Sequence, residues 1–560
     1  MEANVLVTLV IGLLLNVTIC SVRCEHEGRR DVYQVRDVLD YTEPAAEAST
    51  DDVSTPIIDD DDDDDGFLRR PGFVGRITQK GFNFAASLAI RMLMKQLTRV
   101  EIPDMKSSFG MTDVTMSNIK MEKFPKPSSR LYPIPWPGYG MRWHAYNINP
   151  IITANYKAKI GFAFWKITKE GVATFTGEDM FFALDFLISR DASGHPTTEV
   201  LNCKSEGSVK LKFTGQWSDI LNVGSTMFAK KIRSLITAQM CHQAKTEIST
   251  RLAAKLRGVP LQHLVADQYL LDLSVLEPPT FQDDAVDVLF KGVVYDRDNP
   301  EDPPFYPPEI GNHDDDDNRM IYLYVTDYLI NSAFYATFRR GMMNYNITPE
   351  IVPEEFRGYL NTTCMGDICI GTIFPQLSWL YPESSITVAL LATSAPRMSI
   401  AGNSFNVTAG GEAEVFVQHR NGSKHNLFIV DVDISGGFSL EIIGKKLYFN
   451  VSFIDPHAEV KESFIGDIGT GFLFESVLRL ATQKVLLPRI SENGAKGLSL
   501  PKVKGLEFLN PIIVEHEMQN VFVVATDIGF EVKKKRILIK RRRRQQLRDP
   551  QRARTLRARV

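Results

Sequence analysis

The chain has 560 residues, 44% of them hydrophobic, which is room for two or three globular domains and excludes a wholly disordered polypeptide. Its formal net charge of −4 hides an asymmetry: residues 25–66 hold sixteen acids and three arginines, and residues 533–560 hold fourteen bases against Asp549. Between them 71–300 is mildly basic and 301–532 acidic, so the mean charge excludes no class of partner.

Residues 1–24 read as a secretory signal, because 5–15 is an apolar run too short to span a bilayer comfortably and polar residues follow it. The mature protein is therefore expected outside the cell. Four cysteines then remain, Cys203, Cys241, Cys364 and Cys369, and an even number in a secreted chain favours disulfides. Cys364 and Cys369 are close enough in sequence to close a small loop, whereas Cys203 and Cys241 need the fold to bring them together. Residues 25–70 form an acidic segment whose aspartate run at 59–65 repels itself and buries nothing, so it is expected to be disordered. Arg69-Arg70 makes that segment a candidate propeptide; it is either a solvated tail or a mask for the basic C-terminal one.

A first folded module is expected over 71–298. Between Ile77 and Leu97 there is no proline, and Lys80, Asn83, Ser87 and Arg91 recur as a polar stripe at helical spacing. Phe82, Phe84, Leu88, Ile90, Met92 and Leu93 occupy nearly every other direction, which predicts a helix buried except along a narrow strip. Residues 141–186 are rich in aromatic and β-branched residues with local alternation, and Lys169-Glu170-Gly171 and Gly177 read as turns between antiparallel strands. Phe228, Ile232, Leu235, Ala244, Ile248 and Leu252 then mark a long helix that carries Cys241.

Five prolines between Asn299 and Pro308 predict a stiff, extended strap within a linker at 299–320, since each fixes φ and removes an N–H. The second module, 321–532, opens on a strand-like run and repeats the pattern, with strand-like segments at 385–393, 413–418, 426–432 and 446–453 and a helical stretch at 472–487. All five glycosylation sequons outside the signal region fall in this half, at Asn346, Asn361, Asn406, Asn421 and Asn450, as if the first module kept a surface bare for a ligand or membrane. Residues 533–560 are a basic, disordered tail suited to anionic lipid or glycan rather than to sequence-specific nucleic-acid recognition. There is no Gly-x-Ser-x-Gly, His-Glu-x-x-His or Cys-x-x-Cys, and the ten histidines lack metal-ligand spacing, so no catalytic residue, metal or cofactor is expected.

Several stretches, in order, resemble the bactericidal/permeability-increasing protein family, which includes lipopolysaccharide-binding and lipid transfer proteins. They are Pro71-Gly72-Phe73-Val74-Gly75-Arg76-Ile77, Glu101-Ile102-Pro103-Asp104, Pro303-Pro304-Phe305-Tyr306-Pro307-Pro308, Asp317-Asn318-Arg319-Met320, Val485-Leu486-Leu487-Pro488-Arg489 and Val521-Phe522-Val523-Val524-Ala525. The resemblance implies an α+β fold, an elongated two-domain boomerang. Each half is a twisted, barrel-like antiparallel sheet with long helices, and a central sheet and a proline-rich linker join the two. It also implies a Cys203–Cys241 disulfide and a phospholipid in an apolar pocket of each half, with Phe84, Leu88, Met92, Ile232 and Leu235 as lining candidates in the first.

In the endotoxin-binding branch basic loops at the first module's tip grip anionic lipid, and here the loop after Asp104 departs from that pattern, with one lysine and one aspartate. The second tip region keeps Lys157, Lys159, Lys166 and Lys169, interrupted by Phe162, Phe164 and Trp165; Lys210, Lys212, Lys230 and Lys231 add further positive charge, and the basic tail could supply what the tip lacks. The expected function is capture of lipopolysaccharide or other anionic lipid from the bacterial outer membrane surface in innate defence, by a monomer that is not an enzyme. The alternative is a phospholipid or neutral-lipid carrier without antibacterial action.

Overall fold

The computed structural model describes residues 70–530, apart from 110, 135–139, 163–164, 216–217, 219–220, 222–224, 266–267, 312–317, 351, 353, 365, 367–368, 420–421, 467–474, 477, 480–481, 484–486 and 500–505. The signal segment, the acidic segment through Arg69, the basic tail, the Asn421 sequon and most of the expected helix at 472–487 lie outside the described residues.

The first half opens with β1 (Phe73–Thr78) running directly into α1 (Gln79–Leu97). Then come β2 (Met105–Phe109), β3 (Thr112–Lys123), β4 (Ser128–Ile134), β5 (Gly140–Ile148), β6 (Ile151–Phe162), β7 (Trp165–Arg190) and β8 (Pro196–Thr214). They form one antiparallel sheet in the order β2-β3-β6-β7-β5-β4, with β8 along β7. The turns expected inside 165–190 do not form, and β7 is a single strand of 26 residues. Gly171 and Gly177 serve close approach instead: a Cβ at Gly171 would lie 2.7 Å from the Tyr156 hydroxyl, and one at Gly177 would lie 2.6 Å from the Pro150 ring.

After β8 comes α2 (Ser225–Thr246), continued by a π-helical turn at Glu247–Leu252 and a short helix, Ala253–Arg257. Phe82, Ile90, Leu93 and Leu97 of α1 and Phe228, Ile232, Ile236 and Met240 of α2 bury into one core with Trp143, Tyr156, Phe175 and Phe182 of the sheet. Buried positions recur every three or four residues on each helix and every second residue along the strands, with a change of phase in β7 between Gly177 and Met180 at a register shift.

The short strands β9 (Gln262–Val265), β10 (Tyr269–Asp272), β11 (Thr280–Phe281), β12 (Ala285–Phe290) and β13 (Val293–Asp296) lead to the strap. The strap has no regular secondary structure through Ile310; Pro303 and Pro307 are buried, and Phe305 packs edge-on against Tyr328 at 5.8 Å. The second half repeats the opening, β14 (Ile321–Thr326) into α3 (Asp327–Arg339). Its sheet comprises β15 (Tyr345–Ile347), β16 (Ser385–Ala392), β17 (Arg397–Ala401), β18 (Ser404–Gln418), β19 (Lys424–Ile443), β20 (Lys446–Ser463) and β21 (Leu498–Ser499). The strands β22 (Leu506–Val514) and β23 (Val521–Phe530) close the described chain.

The halves join in a six-stranded sheet ordered β11-β12-β1-β14-β23-β22. At its centre β1 lies antiparallel to β14, with Phe73 opposite Val325 and Ile77 opposite Ile321. The threonines that end these strands are buried and exchange equivalent bonds across the seam: Thr78 Oγ1 donates to the Arg319 carbonyl at 2.6 Å, and Thr326 Oγ1 donates to the Gly72 carbonyl at 2.7 Å. Arg76 on β1 makes a buried, bidentate pair with Asp287 on β12, at 2.8 and 3.1 Å. The fold is α+β with two domains, as expected.

Candidate functional site

A cleft opens where the end of α1 meets α2. Leu97, Val100 and Ile102 form one wall, Met121 and Phe124 from the end of β3 another, and Ile232, Leu235, Ile236 and Gln239 of α2 the third. Its closed part is small, about 40 Å³, and the rest of it is open to solvent. The α2 residues stand at i, i+3, i+4 and i+7, so one helical stripe supplies a whole wall. Eight of the nine lining side chains are apolar, and none titrates.

Two fixtures hold the walls. Cys203 on β8 is bonded to Cys241, with the Cα atoms 5.9 Å apart, which clips α2 to the sheet two residues beyond Gln239. The Glu247 carboxylate accepts from Gln96 of α1 and, at 2.6 Å, from Arg251, tying the end of α1 to the helical turn after α2. The second disulfide, Cys364–Cys369, closes a local loop in the other half, with its Cα atoms 5.8 Å apart.

Of the lining candidates, Ile232 and Leu235 are in the cleft, and Phe84, Leu88 and Met92 lie elsewhere. The buried row of α1 is Phe82, Ala86, Ile90, Leu93 and Leu97. Phe84, Leu88 and Met92 form a separate row two residues out of phase, about 200° away at the helical repeat, and are half-buried on the side of α1 remote from the sheet.

The lysine candidates also separate. On β6 and the first part of β7 alternate residues face opposite sides, and Tyr156, Ala158 and Ile160 are buried toward the helices. Lys157, Lys159 and Lys166 therefore stand on the outer face, and so do Lys210 and Lys212 on β8. Lys169 sits opposite Ala158, on the helix-facing side, and is half-buried. Lys157 pairs with Glu170 at 2.6 Å and Lys210 with Glu178 at 2.7 Å, so acids on neighbouring strands offset part of the stripe. Lys159, Lys166 and Lys212 have no ion-pair partner among the described residues. The side chains of Phe162, Phe164 and Trp165 lie outside the described residues. The outer lysines and the cleft thus occupy opposite faces of one sheet.

Among the sequons, Asn346, Asn361 and Asn450 are exposed and Asn406 is half-buried. Among the described residues no three His, Cys, Asp or Glu side chains group to hold a metal ion, and no helix is long and apolar enough to cross a membrane. The buried carboxyl of Asp327, pushed up to about 6 by desolvation, is at the start of α3 and not in the cleft.

The positive charge at Lys230 and Lys231 belongs to a wider pattern in the sequence. The helical segments 79–99 and 225–257 together hold eleven Lys or Arg and a single acid, Glu247. Counting acids helix by helix, instead of lysines strand by strand, would have found the more basic surface of this half.

Two family descriptions match the chain: the LBP / BPI / CETP family N-terminal domain over residues 81–251 and its C-terminal domain over 264–530. The lipopolysaccharide-binding protein of Bos taurus is 23% identical over 465 residues, 80% of this chain and 92% of that protein. A bactericidal permeability-increasing protein of Sebastes schlegelii is 24% identical over 474 residues, 82% of this chain and 95% of that protein. The BPI fold-containing family C protein of Homo sapiens is 23% identical over 479 residues, 83% and 90% of the respective chains. Among solved structures, a lipopolysaccharide binding protein superimposes with a TM-score of 0.56 at 20% identity, covering 82% of this chain and 99% of the other.

Proposed function

The chain belongs to the LBP / BPI / CETP family, and from that premise we propose that it is a secreted monomer that captures lipopolysaccharide or other anionic bacterial lipids. It is a lipid-binding protein and not an enzyme. The observation that carries the proposal is the cleft between α1 and α2, apolar on nearly every side and free of titratable groups. Moving acyl chains from water into such a lining is favourable by about 0.8 kcal/mol per methylene, so binding needs neither a metal nor a catalytic side chain. In this proposal Ile232, Leu235 and Ile236 contact the acyl chains of a phospholipid or of lipid A, and the phosphates meet bases outside the cleft. A second lipid pocket in the other half, and docking on the bacterial outer membrane, belong to the same proposal.

One observation favours a neutral-lipid or phospholipid carrier instead: acids already offset two of the outer-face lysines, Lys157 and Lys210. Binding to lipid A vesicles and to zwitterionic vesicles across a salt series separates the two. Capture of anionic lipid requires a preference for lipid A that weakens steeply with salt. Equal, salt-insensitive uptake from both would overturn it in favour of the carrier.

A further inference from the structure

We propose that the helical layer of the first half, and not its lysine-bearing strands, is the surface that docks on a bilayer bearing anionic phosphate headgroups. Arg91, Lys95 and Arg99 follow each other at intervals of four along α1 and just past its end, on the side opposite the buried row of Phe82, Ala86, Ile90, Leu93 and Leu97. On α2, Lys230, Lys231 and Arg233 are exposed around the first turns, outside the buried row of Phe228, Ile232 and Ile236. All six are exposed, and none has an ion-pair partner among the described residues. The two helical segments hold eleven bases to one acid, and that acid, Glu247, is engaged by Gln96 and Arg251. On the strands acids are interspersed, and Lys157 is held by Glu170 and Lys210 by Glu178, although Lys159, Lys166 and Lys212 have no ion-pair partner among the described residues.

Charge complementarity selects a polyanionic partner, and the apolar residues among the bases select a bilayer over a soluble polyanion. Leu88 and Met92 are half-buried in the same outward sector of α1 as Arg91 and Lys95, and Met227 is 49% exposed at the start of α2. Interleaved bases and apolar side chains on a helix suit an interface plane, where the bases meet headgroups and the apolar groups enter the acyl boundary. A soluble polyanion would gain nothing from Leu88, Met92 and Met227.

The bases and the cleft share the same two helices. Leu97 of α1 and Ile232 of α2 line the cleft, while Lys95 and Arg99 stand on the other side of α1. Docking on these helices brings the bilayer to the two elements that wall the cleft. On this point the inference rests on the proposed lipid-binding role of the cleft.

The test uses the full chain and three variants. The first reverses the helical layer (Arg91→Glu, Lys95→Glu, Lys230→Glu, Lys231→Glu), the second reverses the outer strand face (Lys157→Glu, Lys159→Glu, Lys166→Glu), and the third fills the cleft (Leu235→Trp). Cosedimentation with phosphatidylglycerol/phosphatidylcholine vesicles reads docking, and uptake of a fluorescent fatty acid below its micellar concentration reads the cleft. Each juxtaposed base contributes about fivefold near an anionic surface, so the helical variant is expected to lose vesicle affinity at least a hundredfold with a shallower salt dependence. It keeps fatty-acid uptake and its thermal midpoint, because the altered side chains are exposed. The strand variant is expected to change affinity by less than about threefold.

Vesicle affinity unchanged in the helical variant and lost in the strand variant would overturn the inference. So would a helical variant that loses binding to a heparin column but not to vesicles, which would assign the surface to a soluble polyanion. Failure of the lipid-binding role is read separately, as wild-type protein that takes up no monomeric fatty acid or a Leu235→Trp variant that takes up as much as wild type.

Discussion

The two halves begin alike and end differently. In each, a six-residue strand at the central seam runs through a buried threonine straight into a helix, β1–Thr78–α1 and β14–Thr326–α3. Yet α3 is buried at every position from Asp327 to Ala333 and held by specific polar bonds. Asn331 donates to the Met398 carbonyl at 3.0 Å and accepts from its N–H at 2.7 Å, and Ser332 Oγ accepts from the Val294 N–H at 3.0 Å. By contrast α1 buries one row, keeps its bases outside and ends at the cleft. One opening motif thus yields a buried pillar in the second half and a helix with an exposed side in the first. What surrounds the helix decides which it becomes.

The largest test of that contrast uses the disulfides. Cys203–Cys241 closes a sequence separation of 38 and Cys364–Cys369 one of 5. Replacing both cysteines by serine should destabilise the protein by about 4 kcal/mol for the long loop and about 2 kcal/mol for the short one, read by denaturant unfolding. Equal losses would mean that α2 does not depend on its clip to the sheet.

Next in size is Asn331→Ala, which strands the backbone N–H and carbonyl of Met398 in a buried seam and should cost about 3 kcal/mol. Its counterpart Asn83→Ala, on the exposed side of α1, should stay within about 0.5 kcal/mol. Similar values for the two would break the distinction between pillar and surface.

The smallest expected effect is a pH dependence confined to the second half. Asp327 opens α3 where Gln79 opens α1, and burial raises its pKa to about 6. Between about pH 4 and 6 the folded protein holds a proton that the unfolded chain has released. Stability contributed by this group is therefore present at low pH and declines as pH rises through that window. Asp327→Asn should flatten that slope in thermal melts; an unchanged slope would place the titrating group elsewhere.

Much of the fold was legible from residues. The apolar positions 228, 232, 235, 244, 248 and 252 marked α2 and its continuation, because a helix packed on a sheet must repeat its buried face every three or four residues. The prolines marked the strap for a similarly local reason. The glycines misled, since Gly171 and Gly177 read as turns, whereas they admit Tyr156 from the neighbouring strand and Pro150 from the connection between β5 and β6. Less of the candidate site was legible: of five lining candidates Ile232 and Leu235 line the cleft, and Phe84, Leu88 and Met92 belong to another row of α1.

By itself the sequence determined the two-module plan, the strand–helix opening of each half and the cysteines available for bridging, since these depend on local periodicity, backbone chemistry and composition. Only the tertiary structure decided which apolar row of α1 faces the core, that Lys157 and Lys169 stand on opposite faces of the sheet, and that the ends of α1 and β3 meet α2 around a cleft. Those outcomes depend on register and on crossings between elements more than a hundred residues apart. A helix with apolar residues in many directions does not specify its buried side until its neighbours are in place.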